Sequence, residues 1–281
     1  MTVASETGRC SDRTEVQGST AGEPDPSIRA SALAFRVLGV PVHAVQIPEV
    51  IEHIERWIRN RAAGQFITVT GMHGVSVSLR EPRFRTILES ASLVVPDGMP
   101  LVWLGRWNGH NLKRRVYGPE LMETFCRLTG DRYKHFLYGG ANGVPEHLAE
   151  VFEKRYRVRV VGTYSPPFRP LKQEETDEVL ERIRVASPDV LWVGLSTPKQ
   201  ECWMYDHRDR LSIPVLVGVG AAFDFHTGRV KQAPPWMREN GLEWLFRLLS
   251  EPRRLWRRYL IQGSQFAWNV GLEILGLKHF S

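Results

Sequence analysis

The sequence has few cysteines and no long run of apolar residues. Cys10, Cys126 and Cys202 are isolated and odd in number, so neither a disulfide framework nor a zinc-binding spacing follows from them. The most apolar segment, 259–277, is too polar for a membrane-spanning helix, and the first residues lack the basic start and apolar core of a signal peptide. The polar residues that interrupt 259–277 are Gln262, Gln265, Asn269 and Glu273. We therefore expect a protein of the reducing cytoplasm.

Two motifs of nucleotide-dependent enzymes are also missing. The glycine run 139–143 does not have the spacing Gly-x-Gly-x-x-Gly, and no acidic residue is clearly placed to bind a ribose. This absence disfavours a dinucleotide-dependent oxidoreductase. The sequence also contains no Asp-x-Asp motif that could hold a divalent ion.

The composition indicates a globular protein with an anionic partner. The chain has 281 residues, of which 42% are hydrophobic and 24% charged, which is enough for one large domain or one domain with an appendage. Its net charge of +6 favours binding to phosphate, nucleic acid or an acidic lipid surface.

The distribution of residues divides the chain into three parts. Residues 1–34 are rich in Ser, Thr, Gly, Pro and Glu and are expected to form a disordered tail. In residues 35–228, short apolar runs alternate with helical patterns, which predicts an α/β, Rossmann-like, mostly parallel sheet with helices on both faces. Residues 229–281 begin with a basic connector and continue as a predicted helical appendage.

The strands are predicted at 37–42, 65–70, 93–95, 134–138, 159–161, 189–194 and 213–218. The helices are predicted at 48–61, 71–80, 82–90, 99–107, 119–129, 144–156, 172–185 and 198–210.

Four polar or glycine-rich clusters follow predicted strands. They include Thr70, Gly71 and His73 in the first, Asp97 and Gly98 in the second, Gly139, Gly140 and Gly143 in the third, and Gly194, Lys199, Gln200 and Glu201 in the fourth, with Gly220 alongside in the next unit. Glycines at such junctions let backbone N–H groups approach a phosphate. Each cluster alone is no more than a common turn, but parallel strands bring all of them to one edge of the sheet.

The position of Asp97 alone allows two interpretations, a functional side chain or part of a turn. It follows the predicted strand 93–95, where a carboxylate can act as a general base or cap the next helix. The sequence Pro-Asp-Gly is also ordinary turn chemistry.

Several motifs occur together in an order that resembles a known family. They are Val95–Gly98, Arg115–Gly118, Gly139–Val144, Val193–Glu201, Gly218–Asp224, Glu243–Leu249 and Glu251–Arg254. This combination resembles the WecG/TagA/CpsF glycosyltransferases (glycosyltransferase family 26, N-acetylmannosaminyltransferase type). The resemblance covers about residues 36–260.

The resemblance implies transfer of a sugar from a UDP-sugar to a polyprenyl-diphosphate-linked acceptor in bacterial polysaccharide biosynthesis. It also implies inversion at the anomeric carbon without a metal or other cofactor. Asp97 then corresponds to the general base, and Arg247, Arg254 and Arg257 to cations that stabilise the leaving UDP. The donor sugar stays open between N-acetylmannosamine, its uronic acid, glucose and glucuronic acid.

The roles of the other site residues follow from the same resemblance. Lys199 and Gln200 are expected to bind diphosphate or uridine, and Glu201 either orients Lys199 or favours the helix N-terminus. Asp224 holds a loop or the donor sugar, with the loop favoured. Many family members carry Asn where this chain has Gly71, so His73 either replaces that Asn or is structural. Arg115 and Gly118 belong to the matched substrate-binding motif.

The basic C-terminal segment suggests a membrane surface. Its arginines alternate with Trp, Leu and Phe, which suits a helix lying in a membrane interface, on the inner face of the cell membrane. The alternative is a solvated basic helix or an oligomer contact, and the sequence is compatible with a homo-oligomer. A non-enzymatic nucleic-acid-binding module is a further alternative, but only this segment has the required pattern; no nucleic-acid partner is expected.

Overall fold

The computed structural model describes residues 33–280, apart from the side chains of Glu239 and Arg254. The predicted tail therefore lies outside the described residues, except for its last two, and Ala34 already begins the first strand. The side chain of Arg254, predicted to be a site residue, is also outside the described part.

Strands and helices alternate through most of the described chain. The strands are β1 (Ala34–Val37), β2 (Val40–His43), β3 (Gln65–Thr70), β4 (Leu93–Pro96), β5 (Lys134–Gly139), β6 (Arg159–Tyr164), β7 (Val190–Gly194) and β8 (Val215–Gly218). The α-helices are α1 (Ile47–Arg59), α2 (Met72–Ser78), α3 (Pro82–Glu89), α4 (Met99–Trp107), α5 (Gly118–Thr129), α6 (Val144–Tyr156), α7 (Gln173–Ala186), α8 (Lys199–Leu211), α9 (Ala222–His226), α10 (Pro235–Glu239), α11 (Glu243–Ser250), α12 (Pro252–Trp256) and α13 (Gly263–Ile274). A 3₁₀ turn follows α5 (Gly130–Arg132), and a π-helical turn, Arg257–Gln262, connects α12 to α13.

Six strands form one sheet in the order β4-β3-β8-β7-β5-β6. All five pairings are parallel; in the centre, Ile67 of β3 is aligned with Leu93 of β4 and with Val217 of β8. The predicted α/β class with a parallel sheet is therefore confirmed. Because every strand runs the same way, all the strand-to-helix loops lie at one edge.

The sheet separates two apolar layers. Alternate residues of each strand point to opposite faces, so Phe66 and Leu216 belong to one layer while Ile67 and Val217 belong to the other. The first layer contains residues of α2, α3, α4, α7 and α8, and the second contains residues of α1, α5, α6 and α9. Helices thus cover both faces, which explains why the central strands are continuous apolar runs.

The predicted strand at 37–42 is wrong. The chain turns at Leu38 (φ 50°) and Gly39 (φ 81°), and β1 pairs with β2 as an antiparallel hairpin outside the main sheet. Two consecutive residues with positive φ form the turn geometry that matches the twist of a hairpin. A Leu in that position gives no turn signal in the sequence.

The C-terminal segment is helical, as predicted, and its last helix packs against the α/β layers. Phe266 of α13 is buried in the first layer, and the carboxylate of Glu273 accepts a hydrogen bond from the backbone N–H of Leu38 (3.1 Å). No helix within residues 33–280 combines the length and the apolar character needed to cross a membrane.

Phe266→Ala tests whether α13 belongs to the core. Removing a buried phenyl ring is expected to lower the free energy of unfolding by about 3 kcal/mol, measured by urea denaturation of the full chain. Trp268→Ala is the matched control, since Trp268 lies two residues away and is 70% exposed; it should cost about 0.5 kcal/mol or less. Equal stability of the two variants would contradict the packing of α13.

Candidate active site

The first two predicted clusters meet after β3 and β4. The backbone N–H of Asp97 donates to the carbonyl of Thr70 (2.9 Å). Gly71 lies against the same residue, since a Cβ added there would be only 2.7 Å from the Asp97 carbonyl oxygen. Gly98 follows with φ 101°, a conformation that favours glycine, and directs the chain into α4.

The third and fourth clusters meet after β5 and β7. The N–H of Gly140 donates to the carbonyl of Gly194 (2.9 Å). Gly139 has φ 126°, and a Cβ there would be 2.5 Å from the Gly194 oxygen, so the backbones approach too closely for another residue. Gly143 has φ 81° and precedes α6.

Further contacts join these two groups into one rim. A Cβ on Gly74 would be 3.8 Å from Thr197 Cγ2, and one on Gly118 would be 2.9 Å from the Val219 oxygen. The N–H of Gly220 donates to Oε1 of the buried Gln200 (3.0 Å). The structure thus places the four clusters and Gly118 side by side, as the sequence predicts.

Asp97 lies on this rim with an incompletely satisfied carboxylate. Its buried Oδ1 is 3.5 Å from Nη1 of Arg115 and accepts no hydrogen bond from the described residues. Burial raises the pKa of Asp97 to about 6; Arg115 opposes this shift, Glu243 adds to it, and Arg247 and Arg258 also oppose it. A carboxylate with this pKa is ionised at neutral pH and is a stronger proton acceptor than an exposed one.

Arg115 connects Asp97 to the C-terminal segment. Its Nη2 donates a hydrogen bond to Glu243 of α11. The hydroxyl of Tyr117 donates to the other carboxylate oxygen of Glu243 (2.9 Å). The guanidinium of Arg115 also lies 4.2 Å from the centroid of the Tyr117 ring. Burial alone would lower the pKa of Arg115, but the two carboxylates outweigh it and raise the pKa. Arg115 therefore stays charged and fixed beside Asp97.

His73 also contacts the C-terminal segment. Its Nδ1 is 2.8 Å from Oε1 of Gln262. Burial, the charge of Arg258 and, more weakly, that of Arg80 lower the pKa of His73 to about 4, although the hydrogen bond to Gln262 opposes the shift. The imidazole is thus neutral at pH 7 and positions the π-helical turn against the first loop.

At the start of α8, Glu201 does not contact Lys199. Lys199 is exposed, whereas Glu201 is buried and its Oε1 accepts hydrogen bonds from Thr197 Oγ1 (2.9 Å) and Gln200 Nε2 (3.0 Å). Burial raises the pKa of Glu201. The predicted orientation of Lys199 by Glu201 is not seen, and Glu201 instead holds Gln200 toward Gly220.

Asp224 has a loop contact, as favoured by the sequence. Its Oδ1 is 3.8 Å from Nε of Arg229, and its carbonyl accepts a hydrogen bond from the N–H of Val230 (3.1 Å). Both contacts hold the connector that follows α9 in place.

The predicted arginines have different surroundings. The charges of Arg247 and Arg258 both lower the pKa of Asp97, and the Arg247 guanidinium lies 5.8 Å from the Phe225 ring. Arg257 is exposed and its guanidinium lies 5.3 Å from the ring of its neighbour Trp256. Arg258 is thus a further cation that influences Asp97, and the role of Arg257 stays a prediction.

The described residues contain no obvious metal centre. Across 33–280, no group of three or more His, Cys, Asp or Glu side chains is arranged to hold a metal ion. The cations that surround Asp97 belong to the chain itself.

Comparison with known proteins identifies the family. The model of the glycosyl transferase WecG/TagA/CpsF family matches residues 35–279. The chain belongs to this family. It is therefore a glycosyltransferase, and the oxidoreductase and non-enzymatic alternatives are set aside.

Several curated members of the WecG/TagA/CpsF family are similar to this chain. A protein of Bacillus spizizenii is 29% identical over 216 residues, covering 76% of this chain and 82% of its own length. A protein of Bacillus subtilis is 26% identical over 222 residues (79% and 85%), and one of Staphylococcus aureus is 26% identical over 231 residues (82% and 89%). All three are named N-acetylglucosaminyldiphosphoundecaprenol N-acetyl-beta-D-mannosaminyltransferase.

Two contacts of the candidate site are not predicted from the sequence. Glu243 was recognised only as part of a family motif, yet it binds both Arg115 and Tyr117, which lie more than 120 residues earlier. Gln262 was read only as a polar interruption of an apolar segment, yet it contacts His73. Nothing local in the sequence indicates such pairs.

Proposed function

We propose that this glycosyltransferase moves a sugar from a UDP-sugar to a polyprenyl-diphosphate-linked acceptor, with inversion and without a metal. The observation that carries the proposal is Asp97, an ionised carboxylate on the rim where all the glycine turns meet, whose Oδ1 accepts no hydrogen bond from the described residues. The relatives' names support the acceptor class, since each acts on a diphosphoundecaprenol-linked sugar.

In the proposed reaction, Asp97 takes the proton of the acceptor hydroxyl. The hydroxyl oxygen then forms a bond to the anomeric carbon of the donor on the face opposite UDP, and the bond between that carbon and the phosphate oxygen breaks. UDP leaves with the electron pair. Its negative charge requires stabilisation, and we assign this role to Arg247 and Arg258, whose positive charges both influence the pKa of Asp97.

The donor sugar is proposed from the relatives. Their names specify transfer of N-acetyl-β-D-mannosamine, so UDP-N-acetylmannosamine is the first donor to test. The glycine turns at 139–143 supply backbone N–H groups for the nucleotide, and the buried pair Gln200 and Glu201 supports the neighbouring loop at Gly220.

The exposed apolar residues support attachment to a membrane surface. Ten of the sixteen large hydrophobic residues that are exposed in the described chain lie between Trp236 and Leu277. This segment also carries Arg253 and Arg257, which are exposed. Apolar side chains beside arginines suit the interface of an anionic bilayer, where a polyprenyl-linked acceptor is found.

Asp97→Asn tests the general base. The amide cannot accept the proton, so the transfer rate from UDP-N-acetylmannosamine to a short-chain isoprenyl-diphosphate-linked N-acetylglucosamine should fall by about 10²–10⁴-fold. The affinity for UDP, measured by calorimetry, should change less than twofold. Asp131→Asn, which changes an exposed carboxylate on the 3₁₀ turn, should retain full activity. Unchanged transfer by Asp97→Asn would refute the role of Asp97.

The pH dependence of transfer tests the same group. Only the ionised form of Asp97 accepts a proton, and its pKa is raised to about 6. We therefore expect kcat/KM to be constant above this pH and to fall about tenfold per pH unit below it. The residual activity of Asp97→Asn should not show this decrease at low pH. A decrease of kcat/KM centred near pH 4 in the parent chain would contradict the raised pKa of Asp97.

Co-sedimentation with anionic phospholipid vesicles tests the membrane surface. Trp268→Ser combined with Leu275→Ser should reduce the bound fraction severalfold, because both side chains are about 70% exposed and apolar. Phe168→Ser with Val185→Ser is the control, since it removes apolar residues that are at least as exposed but lie outside this segment. Equal loss of binding by both pairs would contradict attachment through residues 236–277.

A further inference from the structure

A separate cavity lies beside Asp97, between the loop at 113–117, α5 and α10. Its volume is about 310 Å³, a size that suits a small ligand. Its wall is mostly polar and carries five cationic and two carboxylate side chains. The charged residues are Lys113, Arg114, Arg115, Arg127, Arg238, Glu120 and Glu123.

The two carboxylates have partners of their own. Glu120 lies 3.7 Å from Arg114, while Glu123 lies 3.7 Å from Arg155, outside the cavity, and also accepts a hydrogen bond from the hydroxyl of Tyr156 (2.5 Å). Because their charges are engaged, these two carboxylates leave most of the cationic wall uncompensated.

Three of the cavity's cations have no carboxylate partner among the described residues. No ion pair among the described side chains involves Lys113, Arg127 or Arg238. The Nε–H of Arg238 is buried and donates to no described residue. Cations with an unused buried donor indicate an anionic ligand, and phosphate groups are well matched to arginine.

Arg115 connects this cavity to Asp97, the proposed general base. It lines the cavity, and its Nη1 is 3.5 Å from Asp97 Oδ1. An anion held there and a hydroxyl at Asp97 would thus both lie next to the guanidinium of Arg115. A single acceptor sugar, with its diphosphate at one end and its attacking hydroxyl at the other, fits that arrangement.

Exposed tryptophans extend from the cavity toward solvent. Met99 of α4 lines it, and Trp103 and Trp107 follow one and two turns later on the same face of the helix; they are 54% and 75% exposed. Trp236 of α10, next to the lining residue Pro235, is 59% exposed. These rings offer an apolar path for a chain attached to the bound anion.

We propose that this cavity binds the diphosphate of the isoprenyl-linked acceptor, with the first isoprene units against Trp103 and Trp236. The inference rests on the proposed function and adds Lys113, Arg127 and Arg238 as acceptor-binding residues. UDP binds elsewhere, at the glycine turns.

Calorimetry of the full chain with three probes tests the cavity: geranyl diphosphate, inorganic diphosphate and UDP. Lys113→Gln combined with Arg127→Gln should raise the Kd of geranyl diphosphate about tenfold or more, because two charge-assisted contacts are lost. The Kd of UDP should change less than twofold. Lys154→Gln with Arg182→Gln, which removes two equally exposed cations from α6 and α7, should change neither. Both substituted positions of the test variant are exposed, so folding is expected to be retained.

Three outcomes would overturn the inference. One is an unchanged Kd for geranyl diphosphate in the test variant, and another is an equal loss of UDP affinity, which would assign the cavity to the donor. The third is equal binding of inorganic and geranyl diphosphate by the parent chain, which would indicate a site for the free anion. Failure of the proposed function would show separately, as an absence of transfer by a parent chain that still binds geranyl diphosphate.

Discussion

The candidate site depends on one largely buried guanidinium, that of Arg115. An arginine withdrawn from water requires carboxylate partners, and this one has Asp97 after β4 and Glu243 in α11. Arg115 therefore joins Asp97 to the C-terminal segment. Tyr117 completes the group by donating to Glu243, so that the loop before α5, the rim of the sheet and α11 fix one another.

The sites proposed for the donor and the acceptor belong to different elements. The glycine turns proposed for the donor follow β5 and β7, where backbones approach within hydrogen-bond distance. The cationic cavity proposed for the acceptor is lined by the loop at 113–117, α5 and α10, and it shares Arg115 with Asp97.

The parallel sheet could be predicted because its strands are short apolar runs separated by helical patterns. The meeting of the polar and glycine-rich clusters at one rim could also be predicted, because parallel strands all end at the same edge of the sheet. The hairpin formed by β1 and β2 could not be predicted, because Leu38 is not a residue type that indicates a turn. The influence of Arg258 on the pKa of Asp97 could not be predicted either, because the family position indicates only Arg257. The π-helical turn at Arg257–Gln262 adds a residue to the helical turn, which shifts the side chains relative to a regular helix.

The hydrogen bond between Leu38 and Glu273 has a consequence for biosynthesis. The N–H of Leu38 sits in a buried turn, where an unpaired donor is costly, and its acceptor is 235 residues further along the chain. A ribosome delivers the amino-terminal hairpin long before that acceptor. The first hairpin of the described chain is therefore completed by a residue near the end of the described chain, and this contact can form only after Glu273 has been synthesised.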